Sequence, residues 1–415
     1  MAGDFSQKPE GTGMAQILSP DQIRGLARSL EGPLIDFCRR LVQTPSPSGD
    51  EGRVANLVEA ELKALGYDDV WRDRVGNVLG VIRGEGDHAV MFNAHMDHVD
   101  PGNPERWPYP PFAGVITDGY LWGRGACDTK AALAAQVYAG GALRRAGLRP
   151  PGDLYVAAVV MEEIGGAGSR FLAANFRPEV GVFGEPSGNR LALGHRGRLE
   201  LAVRVVGRSA HASAPELAVN PHFSLARFIL SLSRVERASH PVFGTSSCAP
   251  TLYTTDTAST NVIPGEATLF VDWRNVPGER AEVVVGRLEK LLTESLDPGA
   301  AGSIRLLEVR QTTYTGVEVS FPDEMPDFET PADNPYARRA LKVLADLFAA
   351  RAAPYYWRFT TDAGHFARVG TVALGFAPGD DALPHTYEER VGLTELVDGL
   401  AGYIGLALGL GGEGR

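Results

Sequence analysis

Cysteine is scarce in this sequence. There are three, Cys38, Cys127 and Cys248, widely separated and odd in number. They make no disulfide framework, and their rarity suits a reducing, cytoplasmic setting. The chain does not open on an apolar segment. MAGDFSQKPEGTG is polar, unlike a secretory signal, and residues 1–18 read as a loose tail. The apolar stretch LVDGLAGYIGLALGL near the C-terminus is expected to be too short and too broken by glycine to span a bilayer, and reads as a packed terminal helix. Basic residues are in deficit, 40 against 51 acidic, for a net charge of −11. That balance argues against nucleic acid or an anionic membrane as a partner. No internal repeat and no low-complexity tract stands out.

What is present is a 415-residue chain, 44% hydrophobic and 22% charged, which describes a soluble globular protein too long for one ordinary core. Ser19 followed by Pro20 reads as the capped start of a helix. Further helices are expected at 33–43 and 51–65, separated by TPSPSGDE, with Gly66 in the C-terminal glycine position. Apolar runs at 77–82, 89–93, 154–161 and 180–183 suit strands covered on both faces, with a helix at 130–146 between them. This is an α/β pattern, and open α/β sheets hold their sites at the C-terminal ends of the strands.

The pattern changes after GHRGR at 194–198. A strand at 199–206, a helix at 221–234, a strand at 267–273 and a helix at 280–294 form a small β-α-β-β-α-like unit. From about 311 the α/β character returns, with a helix at 334–350, a strand at 371–376 and a helix at 393–408. The simplest division is a large domain from 19–196 and 311–415, interrupted by a smaller α+β domain at 197–310.

Polar residues crowd the expected strand ends. MFNAHMDHVD carries His95, Asp97 and His98; GRGACDTK carries Asp128 before a helix; MEEIGG carries Glu162 and Glu163; GEPS carries Glu185; PHTYEE carries His385. Each alone has an ordinary explanation, such as a solvated surface pair, a helix cap or a loop histidine. Together, imidazoles and carboxylates without thiolates suit zinc, cobalt or manganese in a hydrolytic site. Three carboxylates and two histidines suffice for two metals sharing one carboxylate. One of two adjacent glutamates can bind metal while the other faces water as a general base.

These stretches resemble the M20 metallopeptidase family in its acetylornithine deacetylase, succinyl-diaminopimelate desuccinylase and aminoacylase branch, and also a group of selenium-metabolism-linked hydrolases. The same motif order runs from about residue 30 to 400. The resemblance implies a zinc-peptidase-like α/β catalytic domain whose insert serves as a lid and dimerisation domain. It implies that His95, Asp128, Glu163, Glu185 and His385 bind two zinc ions, with Asp128 bridging. Glu162 would be the general base, and Asp97 would orient His95. His211, in GRSAHASAPELAVNP, would donate to the developing oxyanion across a homodimer interface. Asn261 and Arg274, in TASTNVIPGEATLFVDWR, are candidates to bind a substrate carboxylate. The sequence departs from the family at His98, at Cys127 and in RFTTDAGHF, which lacks a double glycine. The expected activity is removal of an N-acyl group from an amino acid or related small metabolite. A dipeptidase or aminopeptidase is the alternative with the same chemistry, and a catalytically silent binding relative the alternative from another class.

Overall fold

The computed structural model describes residues 18–349 and 353–411. The expected tail at 1–18 lies outside them except for its last residue. Ser19 caps the first helix, α1 (Pro20–Arg28), in a capping box: its Oγ accepts from the Gln22 amide, and Gln22 Oε1 accepts from the Ser19 amide. Helices α2 (Glu31–Val42) and α3 (Gly52–Ala64) follow, then β1 (Asp69–Arg72), β2 (Val78–Ile82), β3 (Ala89–His95), α4 (Ala131–Arg145), β4 (Asp153–Val159) and β5 (Val180–Phe183). The chain next makes β6 (Arg198–Val206), α5 (Pro221–Ser231), β7 (Ser247–Thr255), β8 (Glu266–Arg274), α6 (Ala281–Ser295) and β9 (Ala301–Leu306). It returns through β10 (Glu324–Met325), α7 (Pro335–Phe348), β11 (Val372–Gly375) and α8 (Leu393–Leu410).

The large sheet has the order β1-β2-β4-β3-β5-β11. Its first two pairings are antiparallel, and the remaining four strands run parallel. β2 and β5 are buried along their whole length, as continuous apolar runs between helical layers should be. The apolar run expected at 154–161 stops as a strand at Val159, because Met161 turns into a left-handed conformation, φ 56°, and sends the next residues out of the sheet.

A second sheet, ordered β7-β8-β6-β9, has its own core. β8 alternates strictly, burying Ala267, Leu269, Val271 and Trp273 beneath α5 and α6. The chain does not leave this unit cleanly near 311. A hairpin of Glu308–Thr312 with Glu318–Pro322 packs Val319 and Phe321 on the large core, yet β10 then pairs with the start of β6.

Helix α8 corrects one expectation. At 18 residues it is long and apolar enough to cross a membrane by length and composition. Most of it is buried inside the protein instead, against α1, α4 and α7. Its glycines permit this close approach: a Cβ on Gly402 would lie 2.2 Å from the Phe376 ring, and one on Gly405 2.8 Å from Val343.

Two glycine-to-alanine changes separate helix propensity from packing. Gly25 in α1 has open space around it, so Gly25→Ala should stabilise by roughly 0.5–1 kcal/mol. Gly402→Ala gains the same propensity but forces a methyl into Phe376, and should lower stability by about 1–3 kcal/mol. Thermal unfolding of both variants checks the opposite signs.

Candidate active site

Three adjacent parallel strands deliver most of the polar residues to one edge of the large sheet. β3 lies between β4 and β5, with His95 opposite Val159 and Asn93 opposite Phe183. His95 is the last residue of β3, Glu162 and Glu163 occupy the turn after β4, and Glu185 lies two residues beyond the end of β5. Asp128 comes from an irregular turn at Ala126–Lys130, with φ −118° and ψ 87°. It does not cap α4, which has no side-chain cap. The Asp128–Thr129 peptide is cis. His385 lies in the loop beyond β11 with φ 62°, a left-handed conformation that a non-glycine residue adopts only when its surroundings demand it.

These side chains converge into two groups that share one member. His95, Asp128 and Glu185 form the first, and Asp128, Glu163 and His385 the second, with the ligand atoms of each group within 4.8 Å of one another. His95 Nε2 lies 3.0 Å from Asp128 Oδ1 and 3.7 Å from Glu185 Oε1. His385 Nε2 lies 3.4 Å from Asp128 Oδ2 and 3.2 Å from Glu163 Oε2. Asp128 therefore turns one oxygen to each group. Glu162 belongs to neither group but lines the same cavity.

The electrostatics call for positive charge here. Burial pushes the carboxyls of Glu162 and Glu185 well above the ordinary range, reinforced by Asp362 at Glu162 and by Asp128 at Glu185. Burial also disfavours ionisation of Asp128, but its contacts with His385 and His95 outweigh that and hold its carboxyl low. Contact with Asp128 and Glu163 pushes His385 up to about 10. Glu163 Oε1 is buried with no hydrogen-bond partner among the described residues. Oxygen and imidazole donors in two triads joined through one carboxylate fit a pair of divalent cations, which would neutralise the cluster and engage that oxygen.

Residues behind the cluster hold it in place. Asp97 is fully buried. Its Oδ1 accepts from the Glu162 amide at 3.1 Å, and its Oδ2 accepts from the Glu163 amide at 3.2 Å and from Ser48 Oγ at 2.6 Å. His95 Nδ1 is 3.0 Å from the Asp97 carbonyl and 3.5 Å from its carboxylate, so the backbone oxygen makes the closer contact. Glu389 is a functional candidate that the sequence reading passed over, although it follows His385 in PHTYEE. Its Oε1 accepts from the amides of Cys127 and Asp128, both at 3.2 Å, and its Oε2 from Arg124. Burial raises its carboxyl to about 7 despite Arg124.

The two departures noted at His98 and Cys127 resolve into packing. His98 is buried, accepts at Nε2 from the Ser46 amide and faces Phe112; burial lowers it to about 4, so it is a neutral structural imidazole. Cys127 is a buried thiol beside Glu389, and burial raises its pKa well above the ordinary value.

The cavity beside the cluster has a volume of about 360 Å3, and Arg198 and Arg274 of the smaller unit form part of its wall. Arg274 is held by Asp272 through two contacts of 2.8 and 3.0 Å. His211 and Asn261 lie elsewhere. They sit together on an exposed ribbon where Ala210–His211 pairs with Val262–Ile263, and Ala212 donates to the Asn261 carbonyl. His211 Nδ1 contacts Ser213 Oγ at 2.7 Å, Asn261 Oδ1 accepts from Ser259, and neither residue lines the cavity.

Comparison with known proteins places this geometry in context. The model of peptidase family M20/M25/M40 matches residues 91–408. The Escherichia coli K12 protein YgeY is 28% identical over 390 residues, covering 92% of this chain and 95% of its own. The succinyl-diaminopimelate desuccinylase of Cereibacter sphaeroides is 34% identical over 299 residues, covering 68% and 73%. Among solved structures, the Bacillus subtilis YXEP protein, a dinuclear metal-binding peptidase of the M20 family, superposes with a TM-score of 0.69 at 15% identity. That match covers 92% of this chain and 98% of the other.

Glu389→Ala should loosen the turn that carries Asp128, because two amides and a buried guanidinium lose their acceptor. Affinity for divalent cations is expected to fall about 10–100-fold, measured by competition with a chelating dye. An unchanged affinity would make Glu389 a packing residue only.

Proposed function

The chain belongs to peptidase family M20/M25/M40, and on that premise we propose that it is a metal-dependent amidohydrolase cleaving the amide C–N bond of an N-acyl amino acid or a related small metabolite. The observation that carries this reading is the sharing of Asp128 between two ligand triads, with an unligated carboxylate, Glu162, on the wall of the same cavity. The desuccinylase relative supports an acyl amino acid as substrate. Bound in the two triads, divalent cations, for which we propose zinc with cobalt or manganese as substitutes, would supply Lewis acidity and a lowered pKa for water.

The protein's own groups then have separate tasks. Glu162 takes the proton of the attacking water and returns it to the departing nitrogen. Asp97 fixes the turn carrying both glutamates and the orientation of His95. Arg274 offers a guanidinium to a substrate carboxylate, and Asn261 is placed with it in that role by resemblance alone. His211 reaches the reacting carbonyl as an oxyanion donor only when its ribbon is brought to the cavity by closure of the insert, residues 197–310, or by a second copy.

The insert favours the second copy. β7 is the edge of its sheet and is exposed along nearly its whole length. Leu252 and Tyr253 on it, and Phe223 and Leu230 on α5, are large apolar side chains open to solvent. A bare edge strand with an apolar margin suits pairing with its own copy into a homodimer. The three free cysteines accord with a cytoplasmic setting.

A dipeptidase or aminopeptidase remains the second reading. The solved neighbour is named a peptidase, and Asp381 on the cavity wall offers a carboxylate to a free ammonium group.

A panel of N-acetyl, N-succinyl and N-carbamoyl amino acids and dipeptides, assayed with zinc or cobalt, decides between these readings. Chelation should abolish turnover, and full activity in metal-free protein would sink the proposal. Glu162→Gln should lower kcat by about 10²–10⁴ with metal content intact, whereas Glu163→Gln should lose metal; the reverse result would swap their roles.

His211→Ala should keep its metals and lose about 10²–10³ in turnover. Mixed with Glu162→Gln, it should recover activity in part if the site is shared between subunits, since one site of each heterodimer then carries neither change. Verified subunit exchange without recovery excludes sharing.

A further inference from the structure

A second cavity opens beside the first and differs from it in charge. Its volume is about 410 Å3, and Arg274 and Thr360 line both. The first carries the carboxylates of Asp128, Glu162, Glu163, Glu185 and Asp381 on its wall. Among the described residues, none on the wall of the second is acidic. Three arginines, Arg196, Arg274 and Arg358, converge there with the rings of Phe243, Tyr356 and Trp357.

The nearby acids leave most of that positive charge in place. Arg274 is engaged by Asp272. Arg196 is half-buried and donates to the Phe243 carbonyl, which orients the guanidinium without neutralising it. Arg358 is exposed at the rim, and among the described residues neither it nor Arg196 is held in an ion pair with a carboxylate. Glu329 lies on the Tyr356 side, paired with His240 at 3.1 Å. Asp381, toward the first cavity, contacts the Tyr355 hydroxyl. In a chain of net charge −11, two uncompensated guanidiniums against aromatic walls form a local field of the opposite sign.

We propose that this second cavity is a specificity subsite for an anionic substituent, a carboxylate carried on a planar or apolar spacer, at the end of the substrate remote from the reacting amide. The inference rests on the hydrolase reading and adds the substrate class. The carboxylate pairs with Arg358 and Arg196, the spacer lies between Phe243, Tyr356 and Trp357, and the amide reaches past Arg274 to Glu162. Guanidinium forks match carboxylates in geometry, and the aromatic walls lower the local dielectric and strengthen the pairing. The same charge separation repels a substrate with a cationic end from the second cavity and orients an anionic one so that its amide meets the acidic cluster.

The test uses substrate pairs that differ only in carboxylate against carboxamide: N-(4-carboxybenzoyl) against N-(4-carbamoylbenzoyl) amino acids, and N-acyl glutamate against N-acyl glutamine. In the metal-loaded wild type, the carboxylate member of at least one pair should be favoured on the order of tenfold or more in kcat/KM, through KM rather than kcat. Arg358→Ala and Arg196→Ala should bring that ratio toward one, and Arg358→Lys should keep part of it. A ratio near one in the wild type for every pair, or a ratio that survives both alanine variants, overturns the subsite. If no amide is turned over with both metals bound, the hydrolase reading fails and the subsite is still decided by terephthalate titrated into metal-loaded Glu162→Gln. Binding weakened tenfold or more by Arg358→Ala supports it, and binding indifferent to both arginines overturns it.

Discussion

The carboxylate of Asp97 is the point on which the site depends. It is fully buried at the end of β3, yet it accepts from Ser48 and from the backbone amides of both Glu162 and Glu163. A buried charge without such partners would be strongly unfavourable, and hydrogen bonds to a charged group each contribute on the order of 1.5–3 kcal/mol. This one group therefore ties the exit of β3, the turn after β4 and the loop before α3 into a single rigid piece. The glutamates cannot shift relative to His95 without breaking it. Because Asp97 bonds their backbone amides, the side chains of the two adjacent glutamates stay available on the cavity wall, Glu163 against His385 and Glu162 outside both ligand groups.

The same economy recurs on the other side of the cluster. Glu389 holds the amides of Cys127 and Asp128 while pairing with Arg124. The shared carboxylate of Asp128 is thereby fixed through its backbone. Both supporting acids lie behind ligand-type residues and line no part of the cavity. Acidic groups hold the acidic cluster in place, and divalent cations would be the natural balance for the negative charge that results.

The smaller unit supplies the opposite charge. Arg198, at the start of β6, and Arg274, at the end of the antiparallel neighbour β8, lie at the same end of the small sheet on the wall of the first cavity, and Arg196 extends the basic side into the second. The cleft is thus acidic where the strand ends of the large sheet reach it and basic on the side where Arg198 and Arg274 of the small unit meet Arg196 and Arg358 from outside it. The charge of a ligand at each end would decide which way round it lies. Because β10 pairs with β6 after the chain has begun to pack on the large core, the two units are joined by hydrogen bonds as well as by linkers, close to where Arg198 enters the cleft.

Much was legible in the sequence because its physical causes are local. Continuous apolar runs named β2, β3 and β5, and Ser19 with Pro20 marked the first helix; these follow from side-chain period and capping chemistry, which act over a few residues. Polar residues placed directly after apolar runs pointed to His95, Glu162, Glu163 and Glu185, since parallel strands send their ends to one edge. Glu389, Ser48 and Arg124 carried no such signal. Their role exists only through contacts across long sequence separations, as when Glu389 meets Asp128. The packed helix α8 was expected from its apolar sequence, but the partners its glycines fit against, Phe376 and Val343, are ones no local pattern reveals. His211, Asn261 and Arg274 came from one motif-bearing insert, yet folding put Arg274 at the cleft and left the other two on an exposed ribbon. Sequence by itself determined which residues could ligate and which strands would carry them. Tertiary structure decided which of them meet, because convergence of side chains from separate strand ends is a property of sheet order and register.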